Sequence, residues 1–409
     1  MSEANILFGE TRMRPDLKWV KGANPFLAAV MRKLRSEDRP ISTQEKKGKP
    51  TGMYFMPGQF DGKPYDWPAV YFETGGCSFD KAGACTMCNF GRGTNFTEEE
   101  VTSALTKQFA ELKGKPGIVI TPSGSLFDDK EVSPKLRREI YRLAKENGIE
   151  YFATESRAEF ITSEIIGEMK ELLGDVKIEV GLGLETIDPD VSRYSINKML
   201  NLDIYKKAVD LLRAANIEVF THVLLKPIFL SEKEAYEDAL KTIQWAFAED
   251  GGKTDRVGIG LMNLKPYTLA YLLGEHGMYK TPSYRTVVKL LQSLPEEMRN
   301  KVSLFGFNSG AKIKEETGGC PTCRDALKTY ILKFVKTRDP KILDEAANYP
   351  CSSCKDNWDQ EMTQEHTPFT HNLRERYEFI AQEVFGTQYS KQEQNKKLVD
   401  RSLPHLDSR

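Results

Sequence analysis

Nothing in this chain marks it for a membrane, for export or for a strongly charged partner. No run of about eighteen apolar residues occurs, which excludes a conventional transmembrane helix. The first residues lack the apolar core of a signal peptide. Both absences predict a soluble, cytoplasmic protein. Lys and Arg (58) almost cancel Asp and Glu (59), leaving a net charge of −1. No overall basic excess announces a nucleic acid, so only a local patch could serve such a partner. Histidine is scarce, at five residues, and cysteine is limited to seven. An odd cysteine total in a chain with no export signal argues against a disulfide framework and for metal.

The seven cysteines form two groups with none left over: 77, 85 and 88, then 320, 323, 351 and 354. The first group lies in YFETGGCSFDKAGACTMCNFG, Tyr71 to Gly91, spaced C-x7-C-x2-C. The residues before it, Ala69 to Thr74, read as a strand ending at Gly75-Gly76. Three thiols thus follow a strand's carboxyl end, the edge at which α/β folds bind ligands. Cys77, Cys85 and Cys88 supply three of the four ligands a 4Fe–4S cluster takes, leaving one iron open. A zinc loop is less apt, because the nearest histidine in sequence is His222. Three unrelated buried thiols are the bland alternative.

From 69 to about 293 strand and helix patterns alternate. The strands read as 69–74, 117–121, 149–154, 177–183, 217–225 and 256–262. Capping boxes at Thr97/Glu100 and Ser231/Glu234, and Ser133-Pro134, mark helix starts. Six such units predict parallel strands: a partial (β/α)6 TIM-like barrel, or a doubly wound sheet, which fits the periodicity equally. The large cofactor implied by the cysteine loop favours the barrel. Residues 1–66 read as an N-terminal extension with a helix over Asn24 to Arg35, 67–300 as the barrel, and 301–409 as a small C-terminal metal-binding domain. Leu327 to Lys336 and Leu373 to Val384 read as helices, the latter solvated.

The expected strands end in polar residues: Ser123-Gly124-Ser125, then Asp128 and Asp129; Glu155-Ser156-Arg157; Glu185; His222; and Lys265-Pro266-Tyr267. Each alone is ordinary, and His222 among Val219, Phe220, Val223 and Leu224 reads most simply as a core histidine. Together, after successive strands, they resemble a barrel active site. An iron–sulfur or zinc carrier without catalysis would not need them.

The three-cysteine loop, the SGS turn, ESR and GLGLET resemble the radical S-adenosylmethionine (SAM) enzymes, and more closely the branch of the Elongator catalytic subunit. CTMCNFG, GLGLETIDPDV with SINK, and CSSCKDNW resemble the archaeosine-forming radical SAM lyases. The resemblance implies a 4Fe–4S cluster on Cys77, Cys85 and Cys88 whose open iron binds SAM. It implies reductive cleavage to a 5′-deoxyadenosyl radical, and hence a flavodoxin- or ferredoxin-type electron donor. It places Met87 near the adenine, Ser123, Gly124 and Ser125 at the SAM amino group, Arg157 at the carboxylate with Glu155 nearby, and Glu185 at the ribose. It makes tRNA the partner: hydrogen abstraction from a lysine adduct of a 7-cyano-7-deazaguanine base, then carbon–nitrogen cleavage. Arg32, Lys33, Arg35, Lys46, Lys47 and Lys49, with Lys312, Lys314, Arg324 and Lys328, are the cations offered to phosphate. The near-neutral charge keeps a second reading open, a radical SAM enzyme acting on a small metabolite or peptide.

Cys320-x2-Cys323 and Cys351-x2-Cys354, with 27 residues between, form two metal knuckles. Four thiolates suit a closed zinc site; a second 4Fe–4S cluster is the alternative.

Overall fold

The computed structural model describes residues 23–36, 48–94, 96–307, 318–365, 367–386 and 393–403. Eight strands lie side by side in chain order: β1 Thr51–Phe60, β2 Lys63–Phe72, β3 Gly117–Pro122, β4 Tyr151–Ser156, β5 Lys177–Glu185, β6 Glu218–Leu225, β7 Arg256–Leu261 and β8 Val302–Phe305. β1 and β2 are antiparallel, and every later pair is parallel. A doubly wound sheet reverses its strand order at a switch point. This one never reverses, so each crossover advances the same way and the sheet curls into a nearly closed barrel. The barrel expected from the sequence is present, extended by β8 at one edge and β1 at the other.

The first strand differs from expectation. It begins at Lys63 and pairs with β1 across Asp61-Gly62, both at positive φ (47° and 73°). Those angles fit a type I′ hairpin turn, for which Asp-Gly is well suited. Pro57, Pro64 and Pro68 hid the hairpin, since proline in a run argues against a strand; Pro57 lies on edge strand β1, and Pro64 and Pro68 lie on the stretch of β2 before its pairing with β3 begins at Ala69, where proline is tolerated. The hairpin has a purpose in the fold. Its Met56, Phe60, Tyr65 and Trp67 pack with Tyr151, Ala153 and Val119 and fill the amino end of the barrel.

The principal helices are α1 Pro25–Ser36, α2 Glu98–Glu111, α3 Pro134–Glu146, α4 Ser163–Leu173, α5 Leu202–Ala214, α6 Glu232–Phe247, α7 Leu269–Glu275, α8 Tyr284–Ser293, α9 Arg324–Thr337, α10 Pro340–Ala347, α11 Lys355–Thr363, α12 Leu373–Phe385 and α13 Glu393–Ser402. Both capping boxes form, and Ser133 caps α3. The outer faces of β2 to β6 bury Val70, Ile118, Phe152, Val180 and Val219 against α2 to α5. α9 lies against β1, β2 and β8 and so covers the seam where the barrel does not close. Gln59 Nε2 donates to the Lys336 carbonyl (3.1 Å), and Lys336 pairs with Asp66 (2.8 Å).

α12 is not the solvated helix its charges suggested. Leu373, Tyr377, Ile380, Ala381 and Val384 are buried, chiefly in a cluster with Phe26, Leu27, Val30 and Met31 of α1. The Phe26 and Tyr377 rings stack at 4.7 Å. The Tyr377 hydroxyl donates to the Tyr194 carbonyl (2.9 Å) and accepts from Asn24 Nδ2 (3.1 Å), 353 positions earlier. A partner that distant leaves no local periodicity to read. No helix among the described residues is long and apolar enough to cross a membrane.

Tyr377→Ala should therefore cost about 3–5 kcal/mol in unfolding free energy. Combined with Phe26→Ala it should be non-additive by about 0.5–1.5 kcal/mol, read by denaturant titration of the two single variants and the double. Strict additivity would show that the two helices do not support one another.

Candidate active site at the barrel mouth

The cysteine loop leaves β2 through Gly75 and Gly76. Gly76 has φ 93°, and a Cβ there would come within 2.6 Å of the Gly91 carbonyl. Cys77 precedes a one-turn helix, Ser78–Lys81, and its N–H donates to the Phe90 carbonyl (3.0 Å). Thr86, between Cys85 and Cys88, is buried and pinned on two sides. Its N–H and hydroxyl donate to the Ile196 and Ser195 carbonyls (3.0 and 2.7 Å), and its carbonyl accepts from Leu269 N–H at the start of α7 (3.0 Å).

Two charged clamps hold this loop. The first centres on Glu131, whose side chain is 1% exposed. Its carboxylate accepts from Ser78 N–H (2.7 Å), Ser78 Oγ (2.8 Å) and Ser125 N–H (2.6 Å), and pairs with Arg157 Nη1 (3.2 Å). It ties the cysteine loop, the SGS turn and the end of β4 into one unit. Gly124 completes it: at φ 149°, any Cβ would overlap that carboxylate. Arg157 also pairs with Asp128 (2.9 Å), lies over the Phe160 ring (4.6 Å), and brings Nη1 to 3.5 Å from Cys77 Sγ.

The second clamp comes from α1. Arg35 pairs with buried Asp80 and donates to the carbonyls of Ala84 (2.7 Å), Cys85 (3.1 Å) and Cys88 (3.1 Å). Arg32 donates to the Ala82 carbonyl (3.1 Å). These two arginines, offered to phosphate by the sequence, turn inward. Lys46, Lys47, Lys312 and Lys314 lie outside the described residues.

The other expected site residues gather at the same end of the barrel. Ser123 Oγ donates to Glu73 (3.1 Å). Ser125 Oγ meets Ser156 Oγ (2.8 Å) and accepts from Arg157 N–H (2.8 Å). Glu185 ends β5 at φ 69° beyond a bulge and pairs with Lys198 of the SINK run (2.7 Å). Glu155 faces His222 rather than the cysteines, Oε1 to Nε2 at 3.6 Å. Met87 packs against the apolar cluster shared by α1 and α12.

Residues 73–246 match the family described as the Radical SAM superfamily. Archaeosine synthase subunit beta of Thermococcus kodakarensis is 30% identical over 307 residues, covering 73% of this chain and 92% of that protein. The protein of the same name from Methanosarcina acetivorans is 28% identical over 295 residues, 71% and 83% of the two chains. The chain belongs to the radical SAM superfamily. It is an enzyme whose family uses a 4Fe–4S cluster and SAM. Among solved structures, Methanocaldococcus infernus Elp3 lacking its N-terminus superposes with a TM-score of 0.43 at 16% identity, over 59% of this chain and 60% of that one.

The loop's chemistry fits such a cluster. Burial, with Glu131 adding to it, pushes the Cys77 thiol up to about 12 against the pull of Arg157. Burial raises Cys85 and Cys88 as well. Thiols so placed stay protonated unless a metal displaces the proton.

The late cysteines also converge. Cys320, Cys323, Cys351 and Cys354 place their sulfurs within 4.8 Å of one another. Cys320 and Cys351 are 3.8 Å apart, Cys323 and Cys354 3.4 Å. Cys323 and Cys354 stand at the N-terminal ends of α9 and α11, and burial raises both thiols, so a metal there would have to displace their protons. Arg285 Nε donates to Cys354 Sγ (3.4 Å). The four could hold one metal centre, beside the seam helix.

Sequence reasoning passed over Glu131 and Asp80 and offered Arg35 to phosphate. Glu131 lay in a loop without periodicity, and Lys198 was quoted only within a motif. Glu131→Gln should leave Arg157 short of a partner beside Cys77. Breaking a buried pair costs about 3–5 kcal/mol, so the thermal midpoint and the iron bound per chain on anaerobic reconstitution should both fall. Arg35→Ala should act likewise through Asp80. Full iron loading in both variants would mean that the clamps do not organise the loop.

Proposed function

We propose that the chain acts on a modified tRNA base, cleaving a carbon–nitrogen bond in the lysine adduct of a 7-deazaguanine nucleoside to leave a formamidine. The observation that carries this is the similarity to an archaeosine synthase subunit beta over 92% of that protein's length. Cys77, Cys85 and Cys88 would hold the cluster as three of its four ligands. When bound, cluster and SAM supply a 5′-deoxyadenosyl radical, with the electron drawn from a flavodoxin- or ferredoxin-type protein. The chain's own residues position the parts. Ser123 and the Gly124 backbone would hold the amino group of SAM. Glu185, paired with Lys198, would accept from a ribose hydroxyl. Arg157 is committed to Asp128 and Glu131, so its part is to hold Cys77 rather than to bind the SAM carboxylate.

The quartet at 320, 323, 351 and 354 is read as structural zinc. Zinc–sulfur bonds of about 2.3 Å at the corners of a tetrahedron set sulfurs about 3.8 Å apart, close to the observed separations. Four thiolates on four separate irons of a cubane stand farther apart. A second reading, a small-molecule or peptide substrate, is favoured by the inward turn of Arg32 and Arg35, which removes two cations from any phosphate-facing surface.

Anaerobically reconstituted enzyme given reductant, SAM and lysine-adduct tRNA should yield the formamidine base with 5′-deoxyadenosine. SAM cleavage that leaves the tRNA intact but is stimulated by a small metabolite would instead establish the second reading. Metal analysis of the same protein should find about one zinc per chain, lost in Cys351→Ala with iron unchanged. A loss of about four irons in that variant would establish an auxiliary cluster.

A further inference from the structure

Inside the barrel lies a polar group that neither the cysteine loop nor the SAM-facing residues use. Glu155 sits on β4 beside Gly181 of β5, and its side chain is 38% exposed. His222 reaches it from β6. Gly181 permits the approach, since a Cβ there would lie 2.8 Å from His222 Nε2 and 3.3 Å from Glu155 Cγ. Nε2 is buried and has no hydrogen-bond partner. The imidazole is fixed edge-on between Phe220 (4.9 Å) and Phe305 (5.2 Å). Tyr54 of β1, bonded to Thr121, stands close enough to feel the Glu155 charge. Among the described residues, no lysine or arginine bridges to Glu155.

A partly exposed carboxylate without a cation calls for N–H donors from a ligand. The two oxygens match two adjacent donors on one planar edge. Adenine does not offer this: its edge pairs one donor with a ring-nitrogen lone pair, which a carboxylate repels. The 2-amino-6-oxo edge of a guanine-type base does, with N1–H and the 2-amino group side by side. Replacing N7 of such a base by carbon leaves that edge unchanged.

We propose that Glu155 is the base-reading residue of the substrate subsite. It accepts from N1–H and the 2-amino group of a guanine-type base drawn into the barrel, with His222 as the positioning residue behind it. This rests on the tRNA-base reading above and gives Glu155 to the substrate instead of to SAM.

The test pairs two substrates with two enzymes. Lysine-adduct tRNA and the same tRNA lacking the base's 2-amino group are turned over by wild type and by Glu155→Gln, while SAM affinity and SAM cleavage are followed separately. A hydrogen bond to a charged group predicts that wild type loses about ten- to a hundredfold in kcat/KM on the analogue. Glu155→Gln should fall by a similar factor on the full substrate, no longer discriminate between the two, and keep wild-type SAM affinity and 5′-deoxyadenosine formation. His222→Phe, which keeps the ring packing but removes Nε2, should raise KM for the tRNA and leave SAM affinity unchanged. Reduced SAM affinity in Glu155→Gln would return the residue to the cofactor, and undiminished discrimination would show that another group reads the base. Either result overturns the inference while the tRNA reading stands. No turnover of either tRNA by wild type, with SAM cleavage intact, overturns both.

Discussion

A carboxylate with almost no access to water must be paired, because a lone buried charge costs several kcal/mol. Glu131 meets that demand with Ser78, Ser125 and Arg157. Those partners belong to three different connections of the barrel, so the need to satisfy one charge fixes the cysteine loop, the SGS turn and the end of β4 relative to one another. Asp80 and Arg35 repeat the device on the other side of the loop and draw in α1. The loop therefore does not depend on its own sequence for its shape. It is short of regular structure, carries a positive φ at Cys85, and is braced from outside.

The barrel has an analogous problem at its seam. β1 and β8 do not pair, and an open edge leaves backbone donors and acceptors without partners. α9 covers the gap, and Cys323 stands at its N-cap. The four late cysteines, which could hold one metal centre, thus stand at the start of the helix that covers the seam. Arg285, donating to Cys354 Sγ and to the Tyr349 carbonyl, fastens the same module to α8. The two cysteine groups do separate work, one at the catalytic mouth and one at the closure of the wall.

Features with a short-range cause were legible in the sequence. The parallel strands, both capping boxes, Ser133 at its cap and the loop with three thiols each follow from neighbouring residues. The choice between barrel and doubly wound sheet was not legible in the periodicity, which does not encode strand order; the cysteine loop and the large cofactor it implies decided it for the barrel. The β1–β2 hairpin was obscured by its prolines although Asp61-Gly62 was in view. The clamps were hidden for another reason. Nothing local to Arg35 or Glu131 says that its charge turns inward, since that depends on carbonyls and carboxylates brought there by the fold. Residues on strand ends could be found because the barrel gives them a rule; the residues that hold them in place obey no positional rule.

The shell round the cysteine loop also has a consistent charge balance. Arg35, Arg157 and Lys198 approach the loop, and each is paired: Arg35 with Asp80, Arg157 with Asp128, Glu131 and Glu159, Lys198 with Glu185; Lys265, over the Phe90 ring (4.9 Å), also acts on Cys88. These three cations thus meet five carboxylates. Net charge near an iron–sulfur cluster is one of the terms that set its potential, and cleaving SAM by one electron requires the low end of the range. Arginines can clamp backbone carbonyls with a geometry that lysine or neutral donors do not match, but unmatched they would make a cluster easier to reduce and a weaker reductant. Pairing each with buried carboxylates keeps the mechanical grip and removes the electrostatic side effect. The same reasoning accounts for Glu155 standing apart. A carboxylate left without a cation stays free to meet donors from a ligand, and among the described residues Glu155 has the His222 imidazole beside it (3.6 Å) rather than a lysine or arginine.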